Sequence, residues 1–437
     1  MYVRLTIAGL LLAGPQLVSA GFYSTNVTTL MRGAIQGQNV ATPVPGASLL
    51  LMKDGQVIYH QAFGVTFLND IHQVDSSTKA LSGAAFLSLT DSAPSPFSLD
   101  TTLATYVPGF NATADKAGIT VRQAFSHSSG LPGSETGGGL GNPNITLQQS
   151  AAQISSLPLA FGPPGSNFAY GGLSMQAAGA AGEVAAGVPW TQLVGDRILS
   201  PLGMNSTQYT IASETNPRIA GGAASTGRDF AQLMEMLRGG GVSRTGQRVL
   251  SQAAVDQMFT RQTAGDITLQ NSPLNSVDYG IGVWLDRRDS TGNLEQALAS
   301  GARGFSSWID FPNGVVGVFA TDSTSAQNIV PFLDLMRDEV DLQVNTMVLD
   351  GDTNLSNNVD LDDFSTLAAN FGRGQRLWEQ GDFTGDGFVT LNDFTTLATH
   401  FGQATTRAPT TVPEPACLTV VLATTATLFR QKKGSRH

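Results

Sequence analysis

Residues 75–90 read DSSTKALSGAAFLSLT. Ser76 and Lys79 stand three apart at the head of this stretch, a spacing that puts both side chains on one helix face, close enough to share a proton. From Ala80 to Leu89 the residues are apolar or small on every side, the composition of a buried helix. Lys79 is carried inward with it, and lysine is almost never fully buried without a polar task. A desolvated lysine gives up its charge more readily and can take a proton from serine, which makes the pair a candidate for nucleophilic acyl transfer. The same four letters also describe an ordinary lysine at a helix start, so the surrounding chain has to decide between the two.

Upstream, Ala47 to Lys53 and Gln56 to Phe63 are β-prone apolar runs joined at Asp54-Gly55, a strong hairpin signal. Far downstream, Phe305 to Phe311 and Val315 to Ala320 flank Pro312, Asn313 and Gly314 in the same manner. A helix is expected from about Thr324 to Asp341, with Ile329, Phe332, Leu333, Leu335 and Met336 as its apolar stripe. Between the hairpins the chain is rich in Ala, Leu, Gly and Pro and reads as helices and loops. Strands at both ends with helices between predict an α+β fold whose terminal strands pair into one antiparallel sheet.

The chain of 437 residues is only 13% charged, has a net charge of −10 and contains 49 glycines. That balance suits a secreted globular enzyme and gives no footprint for nucleic acid. Residues 1–20 combine Arg4, an apolar run from Leu5 to Leu12 and the small residues Val18, Ser19 and Ala20, which predicts a secretory signal peptide; a buried N-terminal helix is the other reading. The sole cysteine, Cys417, lies in the tail, so neither an intrachain disulfide nor a cysteine metal site is available.

Near Leu349 the texture changes. Oxygen-bearing side chains fall at Asp352, Asn354, Ser356, Asp360 and Asp363, and again thirty residues later at Asp382, Thr384, Asp386, Thr390 and Asp393. Each set leads into a similar stretch, Phe364 to Gly372 and Phe394 to Gly402. A duplicated unit with oxygens at loop positions one, three, five, nine and twelve is the rhythm hard calcium takes around a tight turn, with Gly387 or Asn357 at position six. The expected division is 1–20 signal peptide, 21–344 main domain, 345–402 calcium-binding repeats, and 403–437 linker and tail.

Residues 119–132, ITVRQAFSHSSGLP, resemble the histidine-serine-glycine-leucine-proline loop of the serine β-lactamase and penicillin-binding-protein superfamily, closest to its class C branch with related esterases and D-aminopeptidases. Pro45 to Gly55, Leu99 to Pro108, Pro201 to Met204 and Ala220 to Thr226 match in order, so the resemblance spans roughly residues 40–342. It implies a β-lactamase/DD-peptidase-like antiparallel sheet with flanking helices and a helical subdomain. It also implies Ser76 as the acyl-forming nucleophile, Lys79 as the lysine that moves its proton, and Tyr170 as general base. The second motif departs from the family at Gly172, where an asparagine would hold the substrate's amide carbonyl. The third is reduced to Ser300, Gly301 and Ala302, without its cation. There Gly301 would let the strand lie close to the nucleophile, and the N–H groups of Ala302 and Ser76 would form the oxyanion hole. Arg303 could replace the lost cation, although strand alternation points it to the other face.

These departures favour an ester or peptide-like acyl substrate over a β-lactam. The alternative is an inactive homologue that serves as a surface binding protein. His127 reads as a loop histidine ordering Ser128 and Gly130, and His60 and His72 as structural. The repeats resemble type I dockerin modules, small all-α EF-hand-like units, which implies calcium and a cohesin-like partner; an internal structural module is equally open. The tail, with Val412 to Pro415, an apolar run to Phe429 and a basic end, resembles a PEP-CTERM sorting signal. That implies sorting machinery and a bacterial envelope or extracellular destination; a retained anchor is the other reading.

Overall fold

The computed structural model describes residues 20–91, 97–346 and 348–404. The expected signal peptide, apart from Ala20, and the expected sorting signal fall outside these residues. Among the described residues no helix is long and apolar enough to cross a membrane.

Six strands form the central sheet: β1 (Gly46–Lys53), β2 (Gln56–Gly64), β3 (Trp284–Arg288), β4 (Leu294–Ser300), β5 (Ser306–Asp310) and β6 (Val315–Ala320). Their order is β2-β1-β6-β5-β4-β3, antiparallel throughout. The strands from the two ends of the domain therefore meet at the β1–β6 pair, as the sequence predicts. Asp54 and Gly55 turn the first hairpin with φ of +47° and +80°, the positive pair that matches the twist of a tight hairpin. On β6, Gly317 lies opposite Trp308 of β5, and an added Cβ there would run into the indole.

Both faces of this sheet are covered, which is why β1 and β6 read as unbroken apolar runs rather than as alternating ones. Leu49 and Leu51 face a core shared with α1 (Thr25–Ile35) and the C-terminal helix Ala326–Val344, through Val27, Met31, Phe332 and Met336. Leu50 and Met52 face the larger core, which holds α2 (Thr78–Thr90), α3 (Leu173–Ala186) and α4 (Gly227–Arg238). In α2 every residue from Thr78 to Leu89 is buried. Burying side chains such as Leu81, Phe86 and Leu87 contributes roughly 1.5–3 kcal/mol each, and Phe86 packs its ring on Phe125 and Trp190 at 4.3 and 5.2 Å. A helix held this firmly fixes the serine at its head.

We number the C-terminal helix α5 and the two helices of the repeat α6 (Leu361–Asn370) and α7 (Leu391–His400). The repeat has its own small core of Val359, Leu367, Trp378, Phe383, Val389 and Leu397, joined by Tyr23 from the N-terminal segment. Several contacts tie it to the main domain, among them Thr25 Oγ1 donating to Glu379 Oε2 at 2.5 Å. The strand Ala20–Gly21 pairs with Val348–Leu349, and the second repeat loop lies against edge strand β2, where Gly385 accepts a hydrogen bond from the His60 N–H at 3.2 Å.

Candidate active site

Ser76 lies half-buried in one 3-10 turn, Asp75–Ser77, that runs straight into α2. The chain enters this turn through Asp75 at φ +45°, a left-handed conformation that costs a non-glycine residue about 1–3 kcal/mol. Arg303 holds it there: its backbone N–H and Nε each donate to Asp75 Oδ2 at 3.0 Å, and Nη2 donates to Oδ1 at 2.8 Å. Ser77 Oγ donates to the Ala299 carbonyl at 3.0 Å, fastening the same turn to β4. Gly301 permits that approach, because a Cβ there would collide with the Val74 carbonyl and lie 3.2 Å from Asp75 Cβ.

Lys79 sits one turn further on and is fully buried. Its Nζ donates to Ser76 Oγ at 3.0 Å and to the Ala220 carbonyl at 2.8 Å. It also lies 4.5 Å from the centre of the Tyr170 ring and 3.6 Å from Glu135 Oε1. An unpaired ammonium costs on the order of several kcal/mol to bury; the hydroxyl, carbonyl, ring face and carboxylate together offset that cost.

Tyr170 follows the short strand Asn167–Ala169 and precedes α3, whose N-cap is Gly172. Its half-buried ring stacks on Trp284 at 5.5 Å and leans on His127 at 4.4 Å. His127 is buried, and its Nδ1 accepts a hydrogen bond from the Gly171 N–H at 3.4 Å. Burial, and then the charge of Lys79, hold its pKa well below the usual histidine value, so the ring is neutral. His127 therefore braces the Tyr170–Gly172 segment rather than ordering Ser128, whose hydroxyl pairs with that of Ser126 at 3.0 Å.

Ser300, Gly301, Ala302 and Arg303 do follow one another beside the Asp75–Ser77 turn, but the Ser300 hydroxyl, the Ala302 carbonyl and the Arg303 guanidinium are engaged. Ser300 Oγ pairs with Ser306 Oγ at 2.8 Å, and the exposed Ala302 accepts from the Ala326 N–H at 2.9 Å through its carbonyl. The Arg303 guanidinium is spent on Asp75, so it does not stand in as a free cation for substrate.

Glu135 has no counterpart in the sequence reading. It lies in the glycine-rich stretch 133–141, where one carboxylate carries no periodicity or motif. The available signal was indirect: a buried lysine beside an unexpected glycine calls for a counter-charge. Glu135 Oε2 and its backbone carbonyl accept from Arg218 Nη2 at 2.7 and 3.0 Å. Oε1 is buried and faces Lys79. Burial opposes its ionisation, yet Lys79 and then Arg218 outweigh burial and hold the carboxyl below the usual range. A Cβ added at Gly172 would lie 3.0 Å from Glu135 Oε2, 3.5 Å from Leu140 Cδ1 and 3.6 Å from Ala220 Cβ. The glutamate thus borders the space that a side chain at 172 would fill.

The residues expected to bind metal lie apart from this site, in the two repeat loops. In the first, the buried Asp352 accepts from the N–H groups of Ser356 and Asn357 at 3.0 and 2.7 Å, and the buried Asp363 from those of Thr353 and Asp360, both at 2.8 Å. In the second, Asp382 accepts from Asp386 and Gly387 at 3.2 and 2.8 Å, and Asp393 from Thr384 and Thr390 at 2.9 and 2.8 Å. Position six has the left-handed backbone in both loops, with φ of +66° at Asn357 and +84° at Gly387. Burial, followed by the charges of Asp393 and Asp386, pushes the Asp382 carboxyl up to about 7. Asn354 Oδ1 accepts from the Ser356 N–H, while Asp360 and Thr390 cap α6 and α7. Among the described residues no group of three or more His, Cys, Asp and Glu gathers. An all-oxygen set mixing carboxylate, amide and hydroxyl suits a hard cation rather than a transition metal.

An antiparallel sheet flanked by helices, with a half-buried serine beside a buried lysine and a tyrosine, defines the class: serine hydrolases of the β-lactamase and penicillin-binding-protein type. The Beta-lactamase family model matches residues 31–330, and the chain belongs to that family. It is 27% identical to penicillin-binding protein 4 of Amycolatopsis lactamdurans over 334 residues, covering 68% of this chain and 84% of that one. It is 27% identical to protein flp of Staphylococcus aureus (strain MW2) over 177 residues, 38% of this chain but only 35% of flp. The solved structure of a β-lactamase-like protein from Bacteroides dorei DSM 17855 superposes with a TM-score of 0.64 at 25% identity, covering 74% of this chain and all (100%) of that one. Members of the family are serine hydrolases that include esterases and carboxypeptidases.

Proposed function

We propose that this protein is an exported esterase-like serine hydrolase working through an acyl-enzyme on Ser76. The observation that carries the reading is the 3.0 Å approach of the fully buried Lys79 Nζ to Ser76 Oγ. Ser76 Oγ attacks the acyl carbonyl, and its proton passes to the Lys79–Tyr170 pair, which in the reacting form holds one proton fewer than an ammonium and a phenol together. The N–H groups of Ser76 and Ala302 take up the oxyanion charge, the leaving alcohol recovers the proton, and water then hydrolyses the Ser76 ester by the same route. Two features favour esters over β-lactams and carboxylate-ended peptides. No amide stands at Gly172, and Arg303 is bound by Asp75.

The test is labelling of the full chain by a fluorophosphonate probe, followed by a panel of short p-nitrophenyl esters, a D-alanyl peptide and a chromogenic β-lactam. Labelling that disappears in Ser76→Ala, with turnover highest on the esters, supports the reading. No labelling of the wild type by any acylating probe removes it and leaves the surface-binding alternative.

The repeats are read as dockerin-like calcium loops. The buried carboxylate pairs Asp352/Asp363 and Asp382/Asp393 support this, and calcium there would supply a structural charge balance. Leu361, Phe364, Leu391 and Phe394, exposed at equivalent places in the two halves, support a cohesin-like partner. The tail's sorting signal would send the enzyme to the cell envelope or outside, which fractionation with and without residues 412–437 would check.

A further inference from the structure

We propose that Glu135, anchored by Arg218, is the residue that positions Lys79 for proton transfer, replacing from a neighbouring loop the side chain that position 172 lacks. The inference rests on the reading of Ser76 and Lys79 as the reacting pair and adds a third party to it.

Three observations carry it. Glu135 Oε1 is buried and faces Lys79 Nζ at 3.6 Å, so this oxygen is directed at the lysine although the side chain as a whole is 40% exposed. The other oxygen and the backbone carbonyl of Glu135 are both gripped by Arg218 Nη2; the carboxylate is therefore set in place from behind. An added Cβ at Gly172 would lie 3.0 Å from Glu135 Oε2, so a side chain at 172 and the observed Glu135 rotamer compete for one space. Arg218 belongs to the same segment as Ala220, whose carbonyl is the other anchor of Lys79 Nζ. One short stretch thus fixes the ammonium both directly and through the glutamate.

The consequence is electrostatic as well as geometric. Around Lys79 stand Glu135 and, behind it, Arg218; the ring of Tyr170; and neutral His127, whose ring packs on Tyr279, a phenol kept protonated first by burial and then by Tyr170 and Glu135. Across Ser76 the Asp75–Arg303 pair is internally neutralised. Glu135 is the carboxylate aimed at the lysine in this set, and Lys79 and then Arg218 outweigh burial to hold it ionised.

The experiment uses the full chain and p-nitrophenyl acetate. Glu135→Ala should lower kcat on the order of 10- to 100-fold, as expected when a reacting group loses its placement, with KM changed by less than about twofold. Gly172→Asn should lower activity in the wild type, where it meets Glu135, and raise it in Glu135→Ala, where the space is free. Glu135→Gln, which keeps the shape without the charge, should move the pH–rate profile toward acid. Equal effects of Gly172→Asn in both backgrounds, or an unchanged kcat in Glu135→Ala, would overturn the proposal. A readout without substrate separates it from the hydrolase reading. The Nζ signal of Lys79 in protein with 15N-labelled lysine, assigned through Lys79→Arg, should shift in Glu135→Gln. An unmoved signal overturns the positioning role even if the enzyme turns over esters, and a shifted one supports it even if no ester is cleaved.

Discussion

Arg303 closes on Asp75 with Nε and Nη2 at 3.0 and 2.8 Å, and its own backbone N–H makes a third bond to the same carboxylate. The residue before Ser76 and the turn after β4 are thereby one unit. The positive φ of Asp75, unfavourable by itself, is held by an ion pair from the turn that carries Gly301 and Ala302. The pair is only partly shielded, with the arginine side chain 45% exposed, so its role is geometric more than energetic.

Arg303→Ala should therefore lower the acylation rate of Ser76 uniformly. Measured as kcat/KM on two esters that differ only by a terminal carboxylate, the loss should be equal, on the order of tenfold for a misplaced nucleophile. A loss confined to the carboxylate-bearing ester would mean that the guanidinium leaves Asp75 to hold substrate.

Gly301→Val tests the same junction from the other side. The new Cβ collides with the Val74 carbonyl, and overpacking of this sort costs about 1–3 kcal/mol. Urea unfolding should show a stability loss of that size. Probe labelling of Ser76 in still-folded protein should fall as well, since the strand can relieve the clash only by withdrawing from the nucleophile turn.

A pH effect follows from Asp341 on α5. Burial, and then the neighbouring Asp310, push its carboxyl up to about 8, against about 3.9 in an unfolded chain. A raised folded-state pKa favours the folded protein below the unfolded value, and the benefit fades as pH rises through the folded one. Asp341→Asn should thus have little effect on Tm at pH 5 and raise Tm relative to wild type at pH 9. A variant equally destabilised at both pH values would show that the carboxylate itself is needed.

Much of this was legible in the residues. The two hairpins stood out because β-prone runs flank turn residues whose backbone demands are specific, and α2 because a helix apolar on all sides has only one place to go. The helix expected from Thr324 to Asp341 is found at Ala326–Val344, displaced because Ser325 caps it by accepting from the Asn328 N–H. What stayed hidden was the partner of Lys79. Ser76 and Lys79 are linked by helix geometry, which sequence spacing encodes. Glu135 reaches the lysine from a loop 56 positions on, and no local rule encodes such a contact. The same holds for Asp75 and Arg303: strand alternation predicted where Arg303 would not point, while the bond that claims it crosses between elements.

The docking of the second repeat loop on β2 gives the last expectation. Gly385 accepts from the His60 N–H at 3.2 Å, and at φ +68° a Cβ on it would lie 2.8 Å from the Ile58 carbonyl. The second repeat loop is thus packed on the edge strand of the sheet to which the Ser76 turn is fastened through β4. An ion bound only by the folded form stabilises it by about 2.7 kcal/mol at a hundredfold excess over Kd. If loop and sheet unfold together, calcium should raise the main calorimetric transition of the full chain, EDTA should lower it reversibly, and Asp382→Ala should abolish the difference. Should EDTA instead remove a small separate transition and leave the main one in place, the repeat would be a passenger on the hydrolase. Coupled unfolding would make calcium a determinant of how long the Ser76 turn keeps its geometry, because an edge strand that frays on loss of its cover loosens β1, and through β1 and β6 the sheet to which that turn is fastened.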